Sequence, residues 1–192
     1  MTSRWMIDVA QQKQIYVNWK LFSLKLINKD REVPEDFKIL HEIGLKALRV
    51  AAAVRQEFGN DSVDQIYTAL GTCYHHDQED IDEPSALAEI LKTCGLPARL
   101  AAAAEDETLD EEIQADMDQA IAKAGTDVGV PQIVLDGGRG PGFFGPVMSP
   151  APTGEDAVKF WDAIIAAGGV PGFFELKRTR EVGPILGERP KL

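Results

Sequence analysis

The residues able to do chemistry fall into a few groups: the cysteines Cys73 and Cys94, the run His75-His76-Asp77 with Glu79, Asp80 and Asp82, the glycines of Gly140-x-Gly142-x-x-Gly145, and the stretch Gly129-Val130-Pro131-Gln132-Ile133-Val134-Leu135-Asp136-Gly137. A cysteine is a nucleophile as its thiolate, which a helix N-terminus or a neighbouring cation favours. Cys73 and Cys94 instead lie on apolar helical stripes and open no helix, so both read as packed thiols, with a disulfide open to them if their helices meet face to face. The histidine run has ligand types for a metal but no matching second pair, so no metal is expected. The glycine triplet formally matches a dinucleotide fingerprint, which needs a helix opening on its last glycine; Phe143, Phe144 and Pro146 read as strand instead.

The proline stretch is the most informative. Proline has no N–H to donate to a ladder and sits at strand starts or edges, so Pro131 at the head of an apolar run describes a tight turn feeding a strand over 132–135. A cis Val130–Pro131 bond suits such a turn, whereas a trans proline opening a strand is the commoner arrangement at X-Pro bonds.

The elements around these residues can be read in order. Trp5, Met6 and Val9 form a short helical stripe, and Ile15 to about Leu24 alternates in the manner of a strand, with β-branched and aromatic residues. From Pro34 to Gly125 the period turns helical. The first stripe holds Phe37, Leu40, Gly44, Leu48, Ala51 and Ala52 behind Pro34. The second holds Val63, Ile66, Tyr67, Leu70, Cys73 and Tyr74, with Asp61 as its cap. Leu87, Ile90, Leu91 and Cys94 make the third, opened by Pro84 and closed by Gly95. Leu109, Ile113, Met117, Ala120, Ile121 and Ala124 make the last, with Glu105-Asp106-Glu107 at its positive end. After the strand over 132–135 comes a second near 143–148, then a helix carrying Ala157, Phe160, Trp161 and Ile164 inward behind a Thr153/Asp156 capping box. The basic run Lys177-Arg178-Thr179-Arg180 reads as a solvated tail.

Composition narrows the class. The net charge is -11 over 192 residues, which argues against nucleic acid or an anionic membrane as partner, since both need a basic footprint. No apolar run approaches the roughly 18 residues of a membrane span, and Met1 to Ile7 shows no signal-peptide pattern. Two distant cysteines suggest no disulfide framework, so a reducing cytoplasm is the expected compartment.

The pattern Gly-Val-Pro-Gln-Ile-Val-Leu-Asp-Gly, followed by Phe143-Phe144-Gly145-Pro146-Val147 and a capped helix, resembles the C-terminal half of a thioredoxin fold. From Thr2-Ser3-Arg4-Trp5 to Pro171-Gly172-Phe173-Phe174-Glu175-Leu176-Lys177-Arg178, the chain is similar to actinobacterial DsbA-like proteins of the mycothiol-dependent nitroreductase and dithiol-disulfide isomerase group. The resemblance implies an α/β, thioredoxin-like fold: a domain of residues 1–30 and 126–192 with a large all-helical insertion, 31–125. It implies a thiol-disulfide oxidoreductase with no bound cofactor and with mycothiol, a low-molecular-weight thiol, as co-substrate. The partner is then a protein or small-molecule disulfide or thiol. Val130 and Pro131 would form the wall that pairs with an extended substrate, and His75, on the insertion, would close over the site; a surface or helix-end histidine is the plainer reading of His75.

The chain departs from that pattern in one respect. The family has an apolar strand and a Cys-x-x-Cys turn just before the counterpart of Thr2-Ser3-Arg4-Trp5, and neither is in these residues. The expected sheet is therefore an incomplete thioredoxin sheet. Compensation is expected through rearrangement, recruitment of the tail near Val182 to Leu186, or a strand borrowed from a second copy in a homodimer. A start site placed downstream of the true one is the expected origin. Two further readings stand beside the oxidoreductase. One is a kappa-class glutathione transferase or 2-hydroxychromene-2-carboxylate isomerase, in which a serine replaces the cysteine; Ser3, the nearby serine, falls after the helix start. The other is a non-catalytic module that binds extended peptides along the proline groove.

Overall fold

The computed structural model describes all 192 residues. In chain order the elements are α1 (Thr2–Lys13), α2 (Leu24–Ile27), α3 (Glu35–Phe58), α4 (Asp61–His75), α5 (Pro84–Thr93), short 3-10 helices over Ala98–Glu105 and Glu107–Leu109, α6 (Asp110–Ala124), β1 (Gln132–Val134), a 3-10 turn at Asp136–Gly138, β2 (Gly142–Phe144) and α7 (Gly154–Gly168). The chain divides into two compact units. One comprises Met1–Val17 and Gln119–Glu188, the other Asn18–Asp118 and Arg189–Leu192. The result is a helix-rich α/β chain with one two-stranded sheet.

In the first unit α1 packs on α7 because each carries its large apolar groups along one face. Trp5, Met6 and Val9 of α1 and Ala157 and Trp161 of α7 are buried. The Trp5 indole N–H donates to the Ala157 carbonyl at 3.0 Å, and its ring tilts against Phe160 and Trp161 at centroid distances of 5.4 and 6.0 Å. Thr153 is the N-cap of α7 as expected, but its hydroxyl makes no capping bond. Asp8 does that work from α1, accepting the Gly154 N–H at 2.7 Å. A side chain on the neighbouring helix thus replaces the predicted local box.

β1 and β2 run antiparallel, with Gln132 opposite Phe144, Ile133 opposite Phe143 and Val134 opposite Gly142. Two glycines let this hairpin approach its helices. A Cβ on Gly142 would lie 2.7 Å from the Lys123 Cβ and 3.0 Å from the Lys123 carbonyl carbon. A Cβ on Gly168 would lie 2.3 Å from the Phe143 ring. Gly142→Ala is therefore expected to lower unfolding stability by about 1–3 kcal/mol, the usual cost of overpacking against atoms that cannot retreat. Urea denaturation checks this, with Gly129→Ala as control, since a Cβ there meets nothing within 4 Å. No helix opens on Gly145, so the glycine triplet lies in and beside the hairpin and lacks the helix N-terminus that the fingerprint requires.

In the second unit α3, α4, α5 and the Ala98–Glu105 segment surround a core that includes Leu45, Val54, Ile66, Leu87, Leu91 and Leu100. Pro84 occupies the first turn of α5, and Gly95 follows α5 with φ +69°, as their sequence positions suggested. Three expectations fail in detail. Phe37, Leu40 and Tyr67 are exposed, because the first turns of α3 project beyond the core and Tyr67 lies on the outer border of its stripe. Asp61 is the first helical residue of α4 and caps nothing; Asn60 precedes it and sends its amide elsewhere. The acidic first turn of α6 is Asp110, Glu111 and Glu112, one turn later than read, because residues 98–109 wind as 3-10 helices.

The strand expected over 15–24 does not form a ladder. Its alternation survives as burial: Leu21 and Ser23 are buried while Tyr16, Asn18 and Lys20 are exposed. Side chains take the place of a neighbouring strand. Within the second unit, the Trp19 N–H donates to Asn60 Oδ1 at 2.8 Å and the Trp19 carbonyl accepts from Asn60 Nδ2 at 2.7 Å. The Leu21 N–H donates to Asp116 Oδ2 at 2.9 Å. Ser23 then caps α2, accepting the Leu26 N–H at 3.2 Å. The tail over 182–186 forms no strand either. It rests on Ser149, whose hydroxyl donates to the Gly183 carbonyl and accepts the Ile185 N–H at 2.8 and 2.7 Å.

Candidate functional site

The proline turn and β1 form a shaped edge in the first unit. The Val130–Pro131 bond is cis. Val130 is 40% exposed and Pro131 half-buried, so the turn presents an apolar wall to solvent. The Gln132 side-chain amide donates to the Gly129 carbonyl at 3.0 Å and braces the turn, while its Oε1 is buried without a partner. The Gly145 N–H donates to the Pro131 carbonyl at 2.8 Å, and the Leu135 N–H donates to the Pro141 carbonyl at 3.1 Å.

These bonds define which way β1 faces. In an antiparallel pair alternate residues turn their backbone groups toward the partner. Pro131, Ile133 and Leu135 face β2. Val130, Gln132 and Val134 therefore turn their backbone groups to the other side, where the two-stranded sheet has no further member. The hairpin is closed by Asp136 and Gly137, both at positive φ (51° and 58°), with Arg139 Nη2 bonded to Asp136 Oδ1 at 3.0 Å. The turn is anchored from behind as well: the Thr2 hydroxyl donates to the Pro146 carbonyl at 2.8 Å. Pro131, Gly145, Pro146 and Thr2 thereby link the proline turn to the first turn of α1.

The other candidate residues lie in the second unit. His75 is the last residue of α4, exposed, with the Tyr74 ring edge-on at 4.9 Å. Crowding of its ring lowers its pKa, neighbouring His76 adding to the effect. Asp77 beside it takes a two-pronged ion pair from Arg189, both bonds 2.7 Å, and that guanidinium holds the Asp77 carboxyl below its ordinary value. No group of three or more His, Cys, Asp or Glu gathers to hold a metal. Val130 and Pro131 thus stand together on one unit and His75 stands on the other.

Both cysteines are free thiols. Burial raises the pKa of Cys73, helped by the charges of Glu79 and Asp77 against the opposing Arg189. Burial likewise raises Cys94, whose Sγ–H donates to the Gln65 carbonyl at 3.8 Å. Neither environment favours a thiolate. Sequence reasoning passed over the buried polar residues that organise the second unit, Arg49 and Asp116. Their signal was present: each is a charge at core spacing, Arg49 four residues after Leu45 and Asp116 three after Ile113.

A helix-rich α/β protein with an exposed strand edge entered through a proline turn is the class these observations define. Its sequence places it further: the chain belongs to the Rv2466c-like family, described as mycothiol-dependent nitroreductase Rv2466c, whose model it matches over residues 1–178. It is also 31% identical over 180 residues to the Mycobacterium tuberculosis protein Rv2286c, itself described as uncharacterized. That match covers 93% of this chain and 76% of the relative. Thiol-dependent redox chemistry is the function that this family's name carries. No helix is long and apolar enough to cross a membrane.

Proposed function

We propose that this chain serves a thiol-disulfide oxidoreductase of the DsbA-like class, with mycothiol as the thiol co-substrate and the Val130–Pro131 turn as the wall against which a disulfide substrate lies. The observation that carries this reading is the unpaired edge of Val130, Gln132 and Val134. An extended substrate pairs with such an edge through its backbone, as an added strand. Family membership supplies the chemistry. A thiolate attacks one sulfur of the substrate disulfide, that S–S bond breaks as a new one forms, and the departing thiolate takes a proton. A second thiol then attacks the mixed disulfide, so two thiols become one disulfide as the substrate gains two electrons and two protons.

Cys73 and Cys94 do not fill these roles, because each is held above the ordinary thiol pKa by burial. The sequence contains no Cys-x-x-Cys pair, so the test supplies one. The 192-residue chain is compared with a version carrying an apolar strand and a Cys-Pro-x-Cys turn ahead of Thr2, both assayed for mycothiol-coupled disulfide reduction. The added pair is expected to confer turnover that the shorter chain lacks. Val130→Asp in the active version is expected to raise KM about tenfold, equivalent to about 1.4 kcal/mol, with little change in kcat, because it puts a charge on the wall and not on the reacting sulfurs. An inactive Cys-bearing chain that folds and still binds extended peptides overturns the redox reading in favour of the binding module.

A further inference from the structure

We propose that Gln132 selects among extended substrates, favouring those with a hydrogen-bond donor, such as a serine or threonine hydroxyl or a carboxamide, on the residue directly across from it. That role rests on the reading of the β1 edge as a strand-pairing site and narrows what the edge takes. Among buried side-chain nitrogens and oxygens, Gln132 Oε1 alone has no hydrogen-bond partner. An acceptor in that state is costly, and buried polar groups are nearly always paired. The nitrogen end of the same carboxamide is already given to the Gly129 carbonyl at 3.0 Å. What remains on offer is an acceptor, and it calls for a donor.

The side chains of the hairpin supply none. Directly opposite residues project to the same face of a sheet, so Gln132 and Val134 share their face with Phe144 and Gly142. Neither of these partners has a polar side chain. Lys123, whose stem lies against Gly142, sends its ammonium to the Arg139 carbonyl at 3.2 Å. The side left over is the open edge, toward which the Gln132 backbone N–H and C=O also turn.

An antiparallel strand added at that edge bonds both of those backbone groups to a single residue. The side chain of that residue stands on the Gln132 face at about 5 Å between Cβ atoms. A donor there reaches the carboxamide, whose end torsion is soft. An apolar side chain there leaves Oε1 unmet beneath the added strand, and a site that hydrogen-bonds a substrate group rejects the analogue lacking it. The residue two positions earlier in the added strand meets Val134, which suits a β-branched apolar side chain. The favoured segment therefore reads apolar residue, any residue, donor.

The test uses the full 192-residue chain and needs no turnover. Two blocked peptides, one with Val-Lys-Thr at its centre and the other with Val-Lys-Val, are compared by fluorescence anisotropy, while hydrogen exchange at the Gln132 and Val134 amides reports whether each lies on the edge. Slower exchange at both amides is expected, with the threonine peptide bound about tenfold more tightly, the effect of one net hydrogen bond. Gln132→Met, similar in length but without the acceptor, is expected to abolish that preference. Gln132→Glu is expected to keep it, because it retains the acceptor while losing the amide that braces Gly129. A bracing role alone would make the two variants alike. Equal affinity for the two peptides with both amides protected, or a preference that survives Gln132→Met, overturns the role of Gln132 and leaves the strand-pairing reading standing. Unprotected amides with both peptides overturn that reading, and the selectivity with it.

Discussion

Asp116→Ala is expected to destabilise the chain by about 3–5 kcal/mol, the range for removing one partner from a buried ionic network. Asp116 is only 6% exposed at its side chain and is the point on which an irregular segment, a helix and a second helix converge. One oxygen accepts the Leu21 N–H at 2.9 Å and the Arg55 guanidinium at 2.6 Å, and the other accepts Lys20 at 2.9 Å. Truncation leaves the Leu21 N–H buried without an acceptor and Arg55 with Glu112, bonded at 2.7 Å, and the Trp19 carbonyl, at 3.4 Å. Lys20→Met should cost far less, under about 1 kcal/mol, because Lys20 is an exposed residue whose ion pair is open to solvent on one side, and Asp116 keeps its donors from Leu21 and Arg55. Asp116→Asn should fall between, keeping an acceptor for Leu21 while losing the charge. Urea midpoints of the three variants rank them.

The same carboxylate sets a pH dependence. Burial alone would raise its pKa, but the donations from Leu21, Lys20 and Arg55 outweigh that and hold it below the ordinary 3.8. A depressed folded-state pKa means that the unfolded chain binds the proton more readily, so stability falls as pH drops. The contribution is complete above the unfolded value of 3.8 and is lost as pH descends from there through the folded value. As pH falls through that region, below about 3.8, unfolding midpoints of the native chain should decline more than those of Asp116→Asn, which has no proton to gain. Equal declines in both would assign the acid sensitivity to other carboxylates.

Asp116 also shows where reading the chain by pattern stops. The spacing of Ile113 and Met117 located the inner face of α6, and the alternation from Ile15 to Ser23 located the inner face of that segment. What the alternation implied, a ladder, needs a neighbouring strand, and a neighbour is a property of the assembled chain. Asn60 and Asp116 stand in for it, across about forty and ninety-five residues of sequence respectively. No local rule anticipates such a pairing, although a carboxylate on a core face demands a partner. At the candidate site the balance differs. The turn at Pro131 and the strand after it were legible because proline and glycine act on their own backbones, whereas the second strand, expected near 143–148, covers only Gly142–Phe144 because Gly145 turns the chain at φ +95°. The capping of α7 by Asp8 in place of Thr153 was not, because it depends on how α1 lies across α7.

The second large effect is expected at that same helix pair: Trp5→Ala should cost about 3–5 kcal/mol, as for other fully buried aromatic residues. Trp5 has no exposed surface, and its ring fills the space between Phe160 and Trp161 while its N–H caps the Ala157 carbonyl at 3.0 Å. Trp5→Phe should recover most of the loss, since the contact area dominates and Ala157 lies inside a helix whose carbonyl keeps its own acceptor role. The consequence extends to the proline turn, because Thr2 on α1 holds Pro146, and Gly145 beside it holds the Pro131 carbonyl. Loosening α1 from α7 should therefore speed hydrogen exchange at the Gly145 amide as well as along α7, while Trp5→Phe leaves Gly145 protected. If Trp5→Ala speeds exchange in α7 alone, α1 positions no part of the substrate wall, and the turn is held by its hairpin alone.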